Sequence, residues 1–383
     1  MPSRLRRVWG RGFLAAIAGI EITNIVVFTK LGAVYGVLGF LLTIIFVLPI
    51  AYLQQLVIIP RKIYGRSLLD ELYLTSQRNY KLYLYTIYLS SILTLIINII
   101  GISIIFSIII GSKWIYYGLL FIVLIWILDN MWKSKKIDKF FLILSMVLMI
   151  YIVLFIFELP ILKTISIEEL GEKLSYIDLL ALWGAAAAPY SLIIQDLGDE
   201  DYTSIYAGAL SSIFIGISIA FVAYASMYPL SRFNIVHTLI PFYRFSGYIV
   251  PIYALGVFGS VVLASISIVL TLKIIFRRLR AKIMSDTDLI EHLLLALIIS
   301  TIPLIIFFKV NDLMLYTEAL IYGSMMIGFI FSITILSLFM YYLYRSLNDR
   351  QPILIFNTIF LGILTMISII LSVNAIIEAF HGL

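Results

Sequence analysis

Two apolar stretches of this chain are interrupted where a membrane-spanning helix should be most regular. The first carries Glu-Ile-Thr-Asn at Glu21–Asn24, and the second carries Ala-Pro-Tyr-Ser at Ala188–Ser191. A charged side chain at the centre of a membrane helix costs about 2.5–3.5 kcal/mol on insertion scales, and irregular backbone at that depth survives only inside protein or along a cavity. Interrupted helices at corresponding positions of two halves indicate the substrate site of a transporter.

The composition requires a membrane to surround most of the chain. Of the 383 residues, 62% are hydrophobic and 13% are charged, and the mean hydropathy is +1.09. We therefore predict an all-α, multi-pass membrane protein. About eleven spans are expected, at Phe13–Phe28, Tyr35–Ile58, Tyr83–Ile110, Trp114–Trp132, Phe140–Phe157, Leu179–Ile194, Ile205–Met227, Val250–Phe276, Leu289–Phe308, Leu313–Tyr344 and Ile353–Phe380.

The basic residues predict the orientation of these spans. When the loops are assigned alternately to the two sides, 20 of the 27 Lys and Arg residues fall on one side. The positive-inside rule places that side, with the N-terminus, in the cytoplasm. An odd number of spans across the cell membrane then places the C-terminus outside the cell. The basic charge therefore reports topology in a lipid bilayer, and no nucleic-acid partner follows from it. The chain has no cysteine, which excludes disulfides and thiolate metal sites.

The order of spans predicts one membrane domain over residues 1–383. Residues from about 12 to 157 and from about 179 to 344 would form two inverted five-helix repeats, with broken helices 1 and 6 facing each other at the midplane. An extra helix from about 353 to 380 would follow. Capping-box spacing predicts two short helices outside the spans, one over Ile167–Leu174 and one from Leu68 to about Leu74.

The two interruptions carry a resemblance to a known family. The run Gly12–Asn24, followed by Gly-Arg-Ser-Leu at Gly65–Leu68, resembles the start of the NRAMP-type (natural resistance-associated macrophage protein) divalent metal transporters. The family's first motif is Asp-Pro-Gly-Asn, and this chain has Glu-Ile-Thr-Asn; the family's sixth-span motif is Met-Pro-His, and this chain has Ala-Pro-Tyr at Ala188–Tyr190. The resemblance implies the LeuT-like fold of the amino-acid/polyamine/organocation superfamily and a role as a secondary transporter.

The same resemblance implies a set of metal ligands. The family's carboxylate falls on Glu21, its amide on Asn24, its carbonyl ligands on Ala18 and Ala185, and its thioether on Ala188. The remaining residues expected around the cavity are Thr23, Asn98, Pro189, Tyr190 and Ser191. The cation is the substrate, and no cofactor is expected.

Two departures from the family pattern change the expected chemistry. Ala188 has no side-chain donor, and an oxygen-only site with room for water suits Mg²⁺, whereas a thioether favours softer ions. This loss resembles the magnesium-transporting branch, so Mg²⁺ is expected first and Mn²⁺ second. In the third span, Asn98 and Gly101 stand where the family has proton-relaying carboxylates, and Tyr190 stands in place of its His. Transport without the usual proton coupling follows.

Each signal also has a purely structural interpretation. Glu21 could bridge helices, Asn24 could join two helices, and the small residues of Gly184–Ala188 could form a packing face. The acidic cluster of Asp196, Asp199, Glu200 and Asp201 fits either a solvated loop that caps the next helix or a vestibule that attracts cations. Glu318 fits either an outer ligand or a side chain that reaches the surface. We assign no metal to His237, His292 or His381, which lack ligand spacing.

Two other functions stay open at this stage. An amino-acid or amine transporter of the same superfamily would use Glu21 for an ammonium group and the helix N-termini for a carboxylate. A scaffold or an intramembrane enzyme is disfavoured, because the spans carry no nucleophile–base pair or catalytic metal set. We therefore predict that the chain is not an enzyme. The sequence does not determine the oligomeric state of the protein, and a monomer is one of the open alternatives.

Overall fold

The computed structural model describes residues 19–111, 113–131, 140, 143–160, 174–197, 202–280 and 312–381. This part of the chain is helical and contains no strand, as the sequence predicts. In chain order, the α-helices are α1 Ile22–Leu56, α2 Ile59–Tyr64, α3 Leu68–Thr75, α4 Gln77–Ile110, α5 Trp114–Met131, α6 Ile150–Glu158, α7 Tyr176–Ala187, α8 Pro189–Leu197, α9 Tyr202–Met227, α10 Ile240–Phe245, α11 Ile249–Arg280, α12 Leu313–Asp349 and α13 Pro352–His381. Short 3₁₀-helices precede α6 at Met146–Met149 and α10 at Ile235–Leu239.

Helix α1 contains two spans that reverse direction at one glycine. Its 35 residues would extend about 52 Å if straight, but Gly36 has φ 57° and ψ −131°. A Cβ on Gly39 would lie 2.0 Å from the carbonyl oxygen of Leu31, an approach that a straight helix forbids. The predicted loop between Phe28 and Tyr35 was therefore wrong. Both residues lie in the first arm, and Gly36 alone makes the turn because it accepts a positive φ.

The described helices are those of a multi-pass membrane protein. Seven helical segments, two of which include more than one of these helices, are long and apolar enough to cross a membrane. They are Ile22–Tyr64, Gln77–Ile110, Tyr176–Asp196, Tyr206–Met227, Ile249–Leu279, Leu313–Asp349 and Pro352–His381. Trp114–Asp129 and Ile143–Glu158 are shorter apolar helices. Large apolar side chains such as Phe356, Ile359 and Met366 on α13 are exposed, as a lipid-facing surface requires. The predicted span Leu289–Phe308 and the predicted short helix Ile167–Leu174 lie outside the described residues, apart from Leu174.

The predicted interruption at Ala188 is confirmed. Helix α7 ends at Ala187 and α8 begins at Pro189, and Ala188 between them has φ 37° and ψ 61° in the left-handed region. The small residues beside the break also have the packing role that the sequence left open, because a Cβ on Gly184 would lie 1.9 Å from the carbonyl oxygen of Ser324 in α12. The backbones of α7 and α12 therefore meet directly.

The second predicted short helix is confirmed as α3. The Ser67 hydroxyl accepts a hydrogen bond from the backbone N–H of Asp70 at 3.1 Å, as an N-cap does. Arg278 of α11 binds the Asp70 carboxylate at 2.7 Å. Burial raises the pKa of the Asp70 carboxyl, but the hydrogen bonds from Ser67 and Arg278 outweigh burial and hold that pKa below its usual value. Arg345 of α12 binds the buried Glu71, so α3 is fixed to two spans. We call this side of the molecule the α3 face.

Candidate functional site

Glu21 occupies the position immediately before α1 without capping it. Its backbone is extended, with φ −107° and ψ −175°, and its side chain makes no capping hydrogen bond. The side chain is buried, with the residue 2% exposed. Its carboxylate instead accepts a hydrogen bond from the side-chain amide of Asn98 in α4. The extended backbone at Glu21 therefore leaves the carboxylate directed toward the third predicted span.

One face of α4 is shaped to receive this break. Gly101 lies one turn beyond Asn98, and a Cβ there would lie 2.5 Å from Cγ1 of Ile22. The absence of a side chain at Gly101 thus allows α4 to approach the start of α1. Within the described residues, the amide oxygen of Asn98 has no hydrogen-bond partner, so this buried group keeps an acceptor available next to Glu21.

Thr23 and Asn24 are buried in the first turn of α1. The hydroxyl of Thr23 donates to the side-chain oxygen of Asn24 at 3.2 Å. Asn24 therefore lies on the same helix end as Glu21, three residues further along. Ala18, the predicted carbonyl ligand from the first span, lies outside the described residues.

The second break supplies buried groups from α7 and α8. Both helices pack against α1, and α8 also packs against α4. Ala185, Ala188, Pro189 and Tyr190 are all buried, and Tyr190 lies within electrostatic range of Glu21. Among the described residues, the hydroxyl of Ser191 is buried without a hydrogen-bond partner. The structure thus places the two predicted motifs at the ends of helices that pack against each other.

Two residues of α11 that the sequence analysis missed hold the backbone at both breaks. Ser260 donates its hydroxyl hydrogen bond to the carbonyl of Ile20, immediately before Glu21. Thr271 donates to the carbonyl of Tyr190 at 3.2 Å. Both side chains are fully buried. A hydroxyl side chain within an apolar span was the available signal, because such a group must find a partner inside the protein.

The other acidic candidates that the structure describes are Asp196, which has a structural role, and Glu318, which lies on the surface. Asp196 is buried and caps a helix, but the helix is α3 and not the next one in the chain: its carboxylate accepts from the N–H groups of Leu68 and Leu69 at 2.6 and 3.0 Å. Asp199, Glu200 and Asp201 lie outside the described residues. Glu318 is exposed, which favours its surface interpretation. In the described part of the chain, no group of three or more His, Cys, Asp or Glu residues could hold a metal.

Comparison with known proteins identifies the fold. No protein-family model and no curated protein matches this sequence. The manganese transporter of Eremococcus coleocola, solved in complex with an aromatic bis-isothiourea substituted compound, matches with a TM-score of 0.72 at 14% sequence identity, over 98% of this chain and 87% of that chain. Two mutants of that transporter match at TM-scores of 0.71 and 0.72, each over 95% of this chain and 85% of that chain, at 14% identity. The chain therefore has the LeuT-like fold of these transporters.

The pairing of Glu21 with Asn98 should be measurable as a coupling in stability. We expect Asn98→Ala to lower the free energy of unfolding by about 1–3 kcal/mol, because it leaves a buried carboxylate without its hydrogen bond. In a Glu21→Ala background, Asn98→Ala should lower the free energy of unfolding by a smaller amount. Thermal unfolding of the four proteins in detergent measures the difference.

Asn357→Ala is the matched control for this cycle. Asn357 is equally buried, on α13, and its amide oxygen accepts from Tyr52 at 2.9 Å. The loss in free energy of unfolding caused by Asn357→Ala should add to the loss caused by Glu21→Ala, as expected for independent sites. Equal costs of Asn98→Ala with and without Glu21 would contradict the pairing.

Proposed function

We propose that this chain is a secondary transporter for a divalent metal cation, with Mg²⁺ preferred and Mn²⁺ next. Its site would consist of Glu21, Asn24, the carbonyls of Ala18 and Ala185, and the space beside Ala188. Thr23, Asn98, Pro189, Tyr190 and Ser191 would line the cavity around it. The proposal extends to two inverted repeats, over about 12–157 and 179–344, with the α3 face in the cytoplasm of a cell-membrane protein.

The observation that carries this proposal is the partner of Glu21. Five acidic residues are buried in the described part of the chain. Glu71, Asp178 and Glu158 each have a basic side chain within 4.0 Å, and Asp196 accepts two backbone hydrogen bonds. Among the described residues, Glu21 has only the neutral amide of Asn98 as its hydrogen-bond partner. A buried carboxylate without a cationic partner, at a helix break, is suited to bind a cation that arrives and leaves.

Two further observations support the choice of cation and of mechanism. The solved structures with this fold include a manganese transporter, which favours a divalent metal over an amino acid or amine. Ala188 offers no sulfur atom, and the polar side chains near Glu21, those of Thr23, Asn24 and Asn98, carry oxygen and nitrogen, which fits an ion that prefers oxygen ligands and retains water. Asn98, which does not titrate near neutral pH, is the direct partner of Glu21, so we propose transport without the usual proton relay.

Replacing Glu21 should abolish most transport. We expect Glu21→Gln to lower Mg²⁺ uptake into liposomes at least about tenfold, equivalent to about 1.4 kcal/mol, because a partly dehydrated divalent ion needs a formal negative charge. Glu318→Gln is the matched control, since it removes an exposed carboxylate from α12, and it should leave uptake unchanged. Uptake by Glu21→Gln at the parent rate would exclude Glu21 from the site.

Transport should not carry protons. Lumenal pH, reported by a dye trapped in liposomes, should stay constant during Mg²⁺ or Mn²⁺ uptake, because no titratable group pairs with Glu21 in the described structure. The Glu21→Gln protein supplies the background of passive leak. Acidification that depends on both the cation and Glu21 would show that protons are coupled by another route.

The side chain at position 188 should set the selectivity. Ala188→Met adds a soft donor and removes space for water, so Mn²⁺ and Cd²⁺ should gain affinity while Mg²⁺ loses it. We expect the ratio to shift by one or two tenfold steps, about 1.4–2.8 kcal/mol, in competition uptake of Mg²⁺ against Mn²⁺.

Ala188→Leu distinguishes the effect of the sulfur atom from the effect of side-chain size, because Leu and Met have similar volumes. It should weaken Mg²⁺ uptake without the gain for Mn²⁺ and Cd²⁺. An unchanged ratio in a folded Ala188→Met protein would mean that Ala188 does not face the ion.

A further inference from the structure

The short helix α3 is held at its N-terminus by a residue from the far end of α8. The Asp196 carboxylate accepts from the backbone N–H groups of Leu68 and Leu69 at 2.6 and 3.0 Å. Arg61, just before α3, donates to the backbone carbonyl of Asp196. A carboxylate on the first N–H groups of a helix satisfies donors that have no intrahelical partner and also interacts favourably with the helix dipole.

The other contacts of α3 come from different helices. Its carboxylates pair with Arg278 of α11, at 2.7 Å to Asp70, and with Arg345 of α12. Helix α3 is therefore attached by ion pairs to two long spans and by Asp196 to α8, the helix that starts at the second break. A relative movement of α8 against α11 and α12 has to break one of these two sets of contacts.

Unpaired polar groups lie between the break and this contact. Ser191 and Gln195 are four residues apart on one side of α8, directly before Asp196, and both are at most 3% exposed. Within the described residues, the Ser191 hydroxyl and the Gln195 side-chain oxygen have no donor, and the buried hydroxyl of Tyr83 in α4 has no partner either. Tyr83 lies within electrostatic range of Asp196. Buried oxygens without partners are costly in a permanent core and useful where water or an ion enters periodically.

We propose that α3 is the gate of the transporter on this face and that Asp196 is the residue that holds it shut. This inference rests on the proposed transport function. With Asp196 on the N-terminus of α3, the polar groups of α8 are closed off from the surface; release of α3 opens the way from Glu21 past Ser191 and Gln195. Asp196 acts on the path through α3, so it is a positioning residue and not a ligand.

The cysteine-free chain allows a direct test. Ser191→Cys places a single thiol behind the gate, and a membrane-impermeant thiol reagent is applied to the α3 face of oriented vesicles. The labelling rate should be low with Asp196 present and should rise at least about tenfold, about 1.4 kcal/mol, when Asp196→Ala removes both hydrogen bonds. Asp196→Asn, which keeps one accepting oxygen, should give an intermediate rate and provides the test if the alanine variant fails to fold.

The chain contains a matched control on the opposite side. Glu378 of α13 also accepts two backbone hydrogen bonds at a helix N-terminus, from Tyr176 and Ile177 of α7 at 2.6 and 3.2 Å. Glu378→Ala should leave labelling from the α3 face unchanged. Parent-like labelling in both Asp196 variants, or an equal rise with Glu378→Ala, would overturn the gate. Labelling can be measured without the ion. If the labelling rate rises from the parent to Asp196→Asn to Asp196→Ala while Glu21→Gln takes up the ion at the parent rate, the proposed ion site is rejected and the gate is still supported.

Discussion

A polar group taken out of water has to find its partner inside the protein, and in this chain that requirement is strongest at the start of α1. The backbone there is extended at Glu21, so the carbonyl of Ile20 and the carboxylate of Glu21 both lack helical partners. The hydroxyl of Ser260 donates to the carbonyl of Ile20, and the side-chain amide of Asn98 donates to the carboxylate of Glu21. Because these donors belong to α11 and α4, both spans must pack on the break. Hydrogen bonds at the start of α1 therefore join three helices.

The acidic residues of the described chain divide into two kinds according to their partners. Asp178 pairs with Lys30 at 2.6 Å and accepts from Tyr35 at 2.7 Å, and Asp129 pairs with Lys273 at 2.6 Å. These carboxylates are neutralised by permanent partners and fix one helix to another. Glu21 has no such partner within the described residues. Removing one member of a fixed pair leaves a buried charge, whereas Glu21 has no such pair among the described residues, which fits its proposed role of binding a cation that comes from outside.

The sequence was sufficient to predict features that depend on local chemistry. Charged, capping or helix-breaking residues mark the start of α1 after Glu21, the interruption at Ala188, the helix after Ser67 and most ends of the described spans. The reversal at Gly36 was not predicted, because a single glycine in an apolar stretch carries no polar signal. The partners of Ser260 and Asp196 could not be predicted either. Each depends on a partner more than a hundred residues away in sequence, and only the packing of the spans brings those partners together.

The proposed site has one formal negative charge for a divalent ion, and this imbalance favours an ion that keeps part of its water. A cation stripped to protein ligands would leave a net positive charge in a poorly polarisable interior, where uncompensated charge is costly. Retained waters spread that charge, but their hydrogens then need acceptors. Within the described residues, the side-chain oxygens of Asn98 and Ser191 lack hydrogen-bond partners and would be such acceptors, and the small side chain of Ala188 would leave space for the water itself. A thioether at that position would occupy the space and offer no acceptor of comparable strength. In the proposed site, the amide of Asn98 and the methyl group of Ala188 would therefore act together, with water completing the coordination that the protein does not provide.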